Sequence, residues 1–304
     1  MSFKFKPLLI ITSTLLALVL LFSAFWYFYH PQKNLEVDFL NVGQGDSVLI
    51  KTPAGQNILV DGGPDGSVIK ELGQVLPWWD KKIDLMILTH PHDDHVTGLT
   101  DVIKRYAVGK ILYTGAAHNS PNYLAWLETV RDKKIPVVII DHPQKINLGE
   151  EPASGQVSSS SVPESKPCVL DIFFPRKSFL NKQFANLNLS SLVFKLTYGK
   201  NKFLFVGDAE VPVEQELLKA KVDLSADVLK VGHHGSDTAS SEDFLKAVLP
   251  RIAVISVGVD NQFGHPSLRT IKKLERINAK IFRTDLDGTV MMVSDGAKIM
   301  VNGK

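Results

Sequence analysis

The sequence predicts an α/β protein in which two sheets pack face to face with helices outside, preceded by one transmembrane helix. Three observations carry that reading. Residues 8–29 form an uncharged, apolar run. Beyond it, apolar runs of strand length alternate with helical patterns through both halves of the chain, which is the signature of α/β layering. Clusters of His, Asp and Gly recur just after those strand-length runs, where open α/β sheets place their chemistry.

The first element is the apolar run itself. Its 22 residues, at about 1.5 Å per residue, are long enough to cross a hydrocarbon core of about 30 Å. Lys4 and Lys6 precede it, and Trp26, Tyr27 and Tyr29 close it. The positive-inside rule therefore puts the amino terminus in the cytoplasm and the rest of the chain outside, in a single-pass protein of the cell membrane. A cleavable signal peptide is the rival, but the run exceeds a signal core and Phe22-Ser23-Ala24 is a poor cleavage site. The expected organisation is an anchor over 1–30 and one domain over 31–304.

After a Pro-containing tether, runs at 37–42, 47–50 and 57–60 read as an opening meander of strands. Strands at 83–88, 110–113 and 137–140 then alternate with helices at 68–76, 99–106 and 123–133. Residues 150–167 break the pattern with four consecutive serines and three prolines, and read as a flexible surface excursion. The second half repeats the style. Its strands are expected at 169–174, 191–198, 202–206, 228–231, 252–257 and 280–283, with helices at 213–221, 241–248 and 267–277.

Composition bounds the chemistry. All 32 acidic residues and all but two of the 34 basic ones follow residue 30, so the outward part is formally neutral and carries no global field for nucleic acid. Lys272, Lys273, Arg276 and Lys280, or Arg176, Lys177 and Lys182, are local basic groups that an ordinary solvated face explains equally well. A single cysteine, Cys168, excludes an intrachain disulfide and a thiolate-rich metal site. It reads as a packed residue.

Thr89-His90-Pro91-His92-Asp93-Asp94-His95 places three imidazoles and two carboxylates within seven residues. That borderline ligand set suits Zn²⁺, Mn²⁺ or Fe²⁺, and its crowding allows two ions close together. Three further clusters follow predicted strands. Asp61-Gly62-Gly63 could bring a carboxylate towards the histidines, or be a plain turn. Gly207-Asp208-Ala209-Glu210 could supply a bridging carboxylate, or an N-cap. His233-His234-Gly235-Ser236 and His265-Pro266 complete the set, and each alone fits a structural histidine. Six of the nine histidines fall in these motifs.

The order Asp-Gly-Gly, His-x-His-x-Asp-His, Gly-Asp, His-His-Gly-Ser and His-Pro resembles the metallo-β-lactamase superfamily over about residues 35–302. Residues 39–47, Ser191-Leu192-Val193, 203–210 and the His-His-Gly-Ser element look like the hydrolase domain of ComEC-type DNA-uptake proteins. The resemblance implies a four-layer αββα sandwich with two divalent ions, Zn or Mn, between the sheets. His90 and His92 would hold one metal, Asp94 and His95 the second, Asp208 would bridge them, and His265 would be the last ligand, with His233 as the alternative. His233 and His234 would contact phosphate or act as acid, and Asp61 would orient the histidine loop. The superfamily's further histidine is missing, because the equivalent region reads Asn186-Leu187-Asn188-Leu189-Ser190-Ser191.

The expected function is metal-assisted hydrolysis, with DNA or another phosphodiester as substrate and a separate DNA-channel protein as partner. Hydrolysis of a small ester, lactam or phosphocholine-type substrate is a second reading. A non-catalytic metal-binding component of a DNA-import assembly is a third.

Overall fold

In the computed structural model the described residues are 6–29, 34–148 and 166–302. The first element is α1 (Lys6–Tyr29), a helix of 24 residues. Its side chains are described over residues 12–23, all exposed. Among the described residues no helix is long and apolar enough to cross a membrane, so the structure does not show the single-pass span expected over residues 8–29. The excursion expected over 150–167 lies almost wholly outside the described residues.

The strands in chain order are β1 (Leu35–Phe39), β2 (Val48–Lys51), β3 (Asn57–Val60), β4 (Lys82–Leu88), β5 (Ala107–Tyr113), β6 (Val137–Ile139), β7 (Gln144–Leu148) and β8 (Cys168–Phe174). There follow β9 (Val193–Tyr198), β10 (Asn201–Phe205), β11 (Val228–Lys230), β12 (Ile252–Ile255), β13 (Lys280–Arg283), β14 (Val290–Ser294) and β15 (Ile299–Asn302). They form an eight-stranded sheet, ordered β15-β14-β1-β2-β3-β4-β5-β6, and a seven-stranded sheet, ordered β13-β12-β11-β10-β9-β8-β7. The opening meander is antiparallel from β1 to β3, whereas β3 to β6 and β10 to β13 run parallel. Strands β7, β14 and β15 are additions to the expected set.

Each sheet is buried on both faces, which is why its central strands read as continuous apolar runs rather than alternating ones. Val37, Phe39, Ile50, Ile58 and Val60 of the first sheet meet Leu170, Ile172, Phe194, Leu196, Phe203 and Phe205 of the second in one core between the sheets. Cys168 belongs to this core, where burial pushes its thiol up to about 12. That is a packed, unreactive position.

The intervening residues of the same strands point outward. Leu40, Leu49, Leu59 and Met86 pack under α2 (Ser67–Val75), α3 (Asp93–Arg105) and α4 (Pro121–Asp132). Val193, Leu204, Leu229 and Ala253 pack under α5 (Val211–Lys219), α6 (Glu242–Val248) and α7 (Leu268–Arg276). The result is two sheets flanked by helices on both outer faces.

Candidate metal centre

The chemistry-bearing residues collect where the parallel strands of both sheets end. The stretch after β4 contributes Thr89 to His95, and α3 begins at Asp93 with His92 as its N-cap. Asp93, Asp94 and His95 therefore occupy the first helical turn rather than a free loop, with the acidic side chains at the positive end of the helix dipole. The turn after β3 supplies Asp61, that after β10 supplies Asp208, and that after β11 supplies His233 and His234.

The backbone is bent to aim these groups. Asp61, His233 and His234 lie in the left-handed region, with φ of 56°, 49° and 50°, a conformation costing about 1–2 kcal/mol per residue. Gly98 has the opposite task of giving way. A Cβ there would stand 2.0 Å from the Gly62 carbonyl oxygen, so only glycine lets α3 press its first turns against the Asp61 turn.

Asp61 acts as a hub. Its Oδ1 accepts the Thr89 main-chain N–H at 2.8 Å, and its Oδ2 accepts the Thr89 hydroxyl at 2.7 Å and the His95 Nδ1 proton at 2.9 Å. That proton assignment leaves the His95 Nε2 lone pair free, and the atom is buried with no hydrogen-bond partner. His234 is fixed in the same way. Its Nδ1 donates to the Ser256 carbonyl at 2.9 Å, leaving Nε2 to face Asp94 at 3.1 Å and Asp208 at 3.4 Å.

Asp208 Oδ2 is the focus, standing 3.4 Å from His95 Nε2, 3.4 Å from His234 Nε2 and 4.0 Å from His90 Nε2. Two donor groups share it: Asp94, His95, Asp208 and His234 on one side, and His90, His92 and Asp208 on the other. His90 Nε2 and His92 Nδ1 are 3.0 Å apart, close to the roughly 3.3 Å expected between two nitrogens bound tetrahedrally to one zinc. His95 Nε2, buried without a hydrogen-bond partner, and the convergence of imidazoles and carboxylates on Asp208 fit a divalent cation in each group.

The electrostatics agree. Burial alone would depress His95 and His234, yet the carboxylates around them, Asp208 foremost, raise both well above the ordinary histidine range. Burial and neighbouring His95 lower His90 and His92. For Asp208, burial opposes ionisation, but His234 and His95 hold the carboxyl well below its usual range. Metal ligands must be deprotonated, so a cation in the four-donor group displaces protons that this charge cluster holds.

The structure brings His90, His92, Asp94, His95, Asp208 and Asp61 together. His265 lies outside both donor groups, although it lines the same cavity. The left-handed turn places His234 in the four-donor group, and His265 stacks beside it, ring centroids 6.3 Å apart. His233 also stays outside, with Nδ1 within 3.0 Å of the Thr238 hydroxyl and 3.3 Å of Glu210. The stretch Asn186 to Ser191 folds beside that pair, where Asn188 donates to Glu210 at 2.9 Å, so it supplies no donor to the three-donor group.

Sequence reasoning gave no role to Asp46 and Lys230. Both are buried, their side chains form an ion pair, and Lys230 Nζ lies 3.9 Å from Asp208 Oδ1. A lysine inside the apolar run of β11 was the available signal, since a buried charge requires a partner. His118, too, was unassigned, and it lines two neighbouring cavities of about 490 and 530 Å³. His92 is common to both, and the larger exposes Asp94, Asp208 and His234.

Residues 40–163 and 178–259 match the Metallo-beta-lactamase superfamily. The chain belongs to that superfamily. Among curated relatives it is similar to ComE operon protein 3 of Bacillus subtilis (strain 168), at 29% identity over 272 residues, covering 84% of this chain and 32% of that protein. Recombination protein 2 of Haemophilus influenzae is 29% identical over 260 residues, covering 84% of this chain and 28% of that protein. Competence protein ComA of Neisseria gonorrhoeae is 27% identical over 270 residues, covering 86% and 32%. The chain thus spans about a third of the length of these relatives. A solved mutant of the CmlA β-hydroxylase shares the fold, with a TM-score of 0.51, 14% identity, and coverage of 85% of this chain and 53% of that one. Metallo-β-lactamase membership implies divalent metal ions in the centre just described.

Proposed function

We propose that the chain is a membrane-anchored, extracytoplasmic, metal-dependent phosphodiesterase that acts on DNA. One observation carries the reading: a single carboxylate oxygen, Asp208 Oδ2, lies within 4.0 Å of ring nitrogens from His90, His95 and His234, at the floor of an open cavity. Two cation positions sharing one carboxylate make a dinuclear hydrolytic centre. The competence-protein relatives support DNA as the substrate, and the apolar run over residues 8–29 supports an anchor.

In this proposal His90, His92 and Asp208 hold one Zn²⁺ or Mn²⁺, and Asp94, His95, Asp208 and His234 hold the other. Bound there, two divalent ions activate water near neutral pH and offset charge on phosphoryl and leaving oxygens. The protein's own part is orientation. Asp61 fixes the His95 tautomer, the Ser256 carbonyl fixes that of His234, and Lys230, paired with Asp46, sets its charge 3.9 Å from the far oxygen of Asp208. His233, partly exposed on the cavity wall with Nδ1 engaged by Thr238 and Glu210 and Nε2 3.4 Å from the Asn188 amide nitrogen, serves as proton donor to a phosphoryl or leaving oxygen that displaces that amide.

The test is hydrolysis of bis(p-nitrophenyl) phosphate and of a single-stranded oligonucleotide by the full chain in mild detergent with Mn²⁺ or Zn²⁺. Both activities are expected, and Asp208→Ala should abolish both. Retained activity in that variant overturns the site assignment. Among the described residues no Lys or Arg lines either cavity, which favours a second reading as a hydrolase of small esters. Turnover of a chromogenic lactam or ester without phosphodiesterase activity would decide for it.

A further inference from the structure

We propose that Phe263, backed by His265, is a stacking platform for an unpaired nucleobase beside the phosphate at the metal centre. The inference rests on the phosphodiesterase reading above and names the feature of the substrate that this site grips.

Phe263 is 60% exposed, although most large apolar side chains outside α1 are buried. It stands on the segment after β12, in the wall of the cavity that also exposes Asp94, Asp208 and His234. The ring is not loose. It lies over His265 with centroids 5.9 Å apart and an interplanar angle of 24°, and His265 in turn stacks on His234 at 6.3 Å and 28°. A row of near-parallel rings therefore leads from the metal centre to solvent, and its last face is open.

The segment that carries Phe263 is cinched. Asn261 Nδ2 donates to the carbonyls of Gly258 and His265 at 3.0 and 2.7 Å, and Asn261 Oδ1 accepts the His265 N–H at 3.0 Å. Gln44 Oε1 accepts the Gly258 N–H at 3.1 Å, tying the segment to the loop after β1. An apolar ring held in water by a braced loop is what a flat, apolar ligand face requires. Every nucleobase has such a face, and stacking is tolerant of sequence.

The rest of the groove agrees with a single strand. The adjoining cavity presents the amides of Asn119 and Gln183, which suit the edges of unpaired bases. With no Lys or Arg among the described lining residues, no cationic rail tracks the backbone. Affinity would come from bases and the metal centre, and its salt dependence would be shallow.

The experiment uses the full chain in mild detergent with EDTA, so that binding is read without turnover. Fluorescence anisotropy compares labelled oligothymidylate with an abasic oligonucleotide of equal length. Phe263→Ala should weaken oligothymidylate binding by about tenfold or more and leave the abasic strand within about twofold, while Phe263→Trp restores it. Equal loss on both strands, or no loss on either, overturns the proposal. Bis(p-nitrophenyl) phosphate hydrolysis by the unaltered chain is measured with metal in parallel. Absence of that hydrolysis in the unaltered chain overturns the phosphodiesterase reading instead, and the anisotropy result still decides the stacking platform.

Discussion

Asp61→Asn should separate the two metal positions. Asp61 Oδ2 accepts from both the Thr89 hydroxyl at 2.7 Å and His95 Nδ1 at 2.9 Å, while Oδ1 accepts the Thr89 N–H at 2.8 Å. An amide has one acceptor oxygen, and the fixed main-chain N–H claims it. The amide NH₂ then faces His95 Nδ1, which must become the acceptor. The ring proton moves to Nε2, the atom aimed at Asp208 across 3.4 Å, and the four-donor group loses a lone pair. Loss of such a partner costs about 10–100-fold in metal affinity, or roughly 1.4–2.7 kcal/mol. The three-donor group of His90, His92 and Asp208 does not use His95. Titration of metal-free protein with Zn²⁺ against a chromophoric chelator should therefore show one equivalent weakened and the other retained. Two equivalents within about twofold of the unaltered protein would refute the reasoning.

His234→Ala should lose one equivalent of bound metal by elemental analysis while His265→Ala keeps two, and the reverse pattern would return His265 to the ligand set. The two positions should also separate by pH. His95 and His234 are raised well above the ordinary histidine range, chiefly by Asp208 against the opposing effect of burial, so below that pKa a cation must displace both protons. The affinity of the four-donor position should fall by up to about two decades per pH unit on acidification. His90 and His92 are lowered by burial and are already neutral, so the three-donor position should hardly change near pH 6–7. Calorimetric titration across pH reads this, and parallel slopes would contradict it. Trp126, 0% exposed and edge-on to Tyr113 at 5.4 Å, should cost about 3–5 kcal/mol on truncation to Ala. Denaturant unfolding checks it, and a loss below about 1 kcal/mol would mean the cavity collapses.

Much of the fold was legible because local pattern and global layering coincide. Expected strands at 57–60 and 83–88 correspond to Asn57–Val60 and Lys82–Leu88, both apolar because both sheet faces are covered. Strand β14 was missed although Val290 to Ser294 is apolar enough. Its partner is β1, with Met292 opposite Val37, and a pairing across most of the chain leaves no local mark. Strand β7 was missed because only Ile146 and Leu148 of its five residues are apolar.

At the site, His90, His92, Asp94 and His95 were readable from spacing, since a strand end and a first helical turn keep sequence neighbours together. The placing of His234 in the four-donor group, where His265 or His233 was expected, was not. It depends on two consecutive left-handed residues at 233 and 234, and composition carries no sign of a backbone turn adopted by non-glycine residues. The Lys230 charge inside β11 was visible, but its partner Asp46 lies far away in the chain.

The contact between Asp94 and His234 joins positions 140 residues apart, and Asp208 lies between them in the sequence but on the opposite sheet from Asp94. A nascent chain that has not yet delivered residue 234 to its place has no four-donor position to fill. A cation held at that position would therefore bridge the two sheets, so its binding would report on their docking as well as on its ligands.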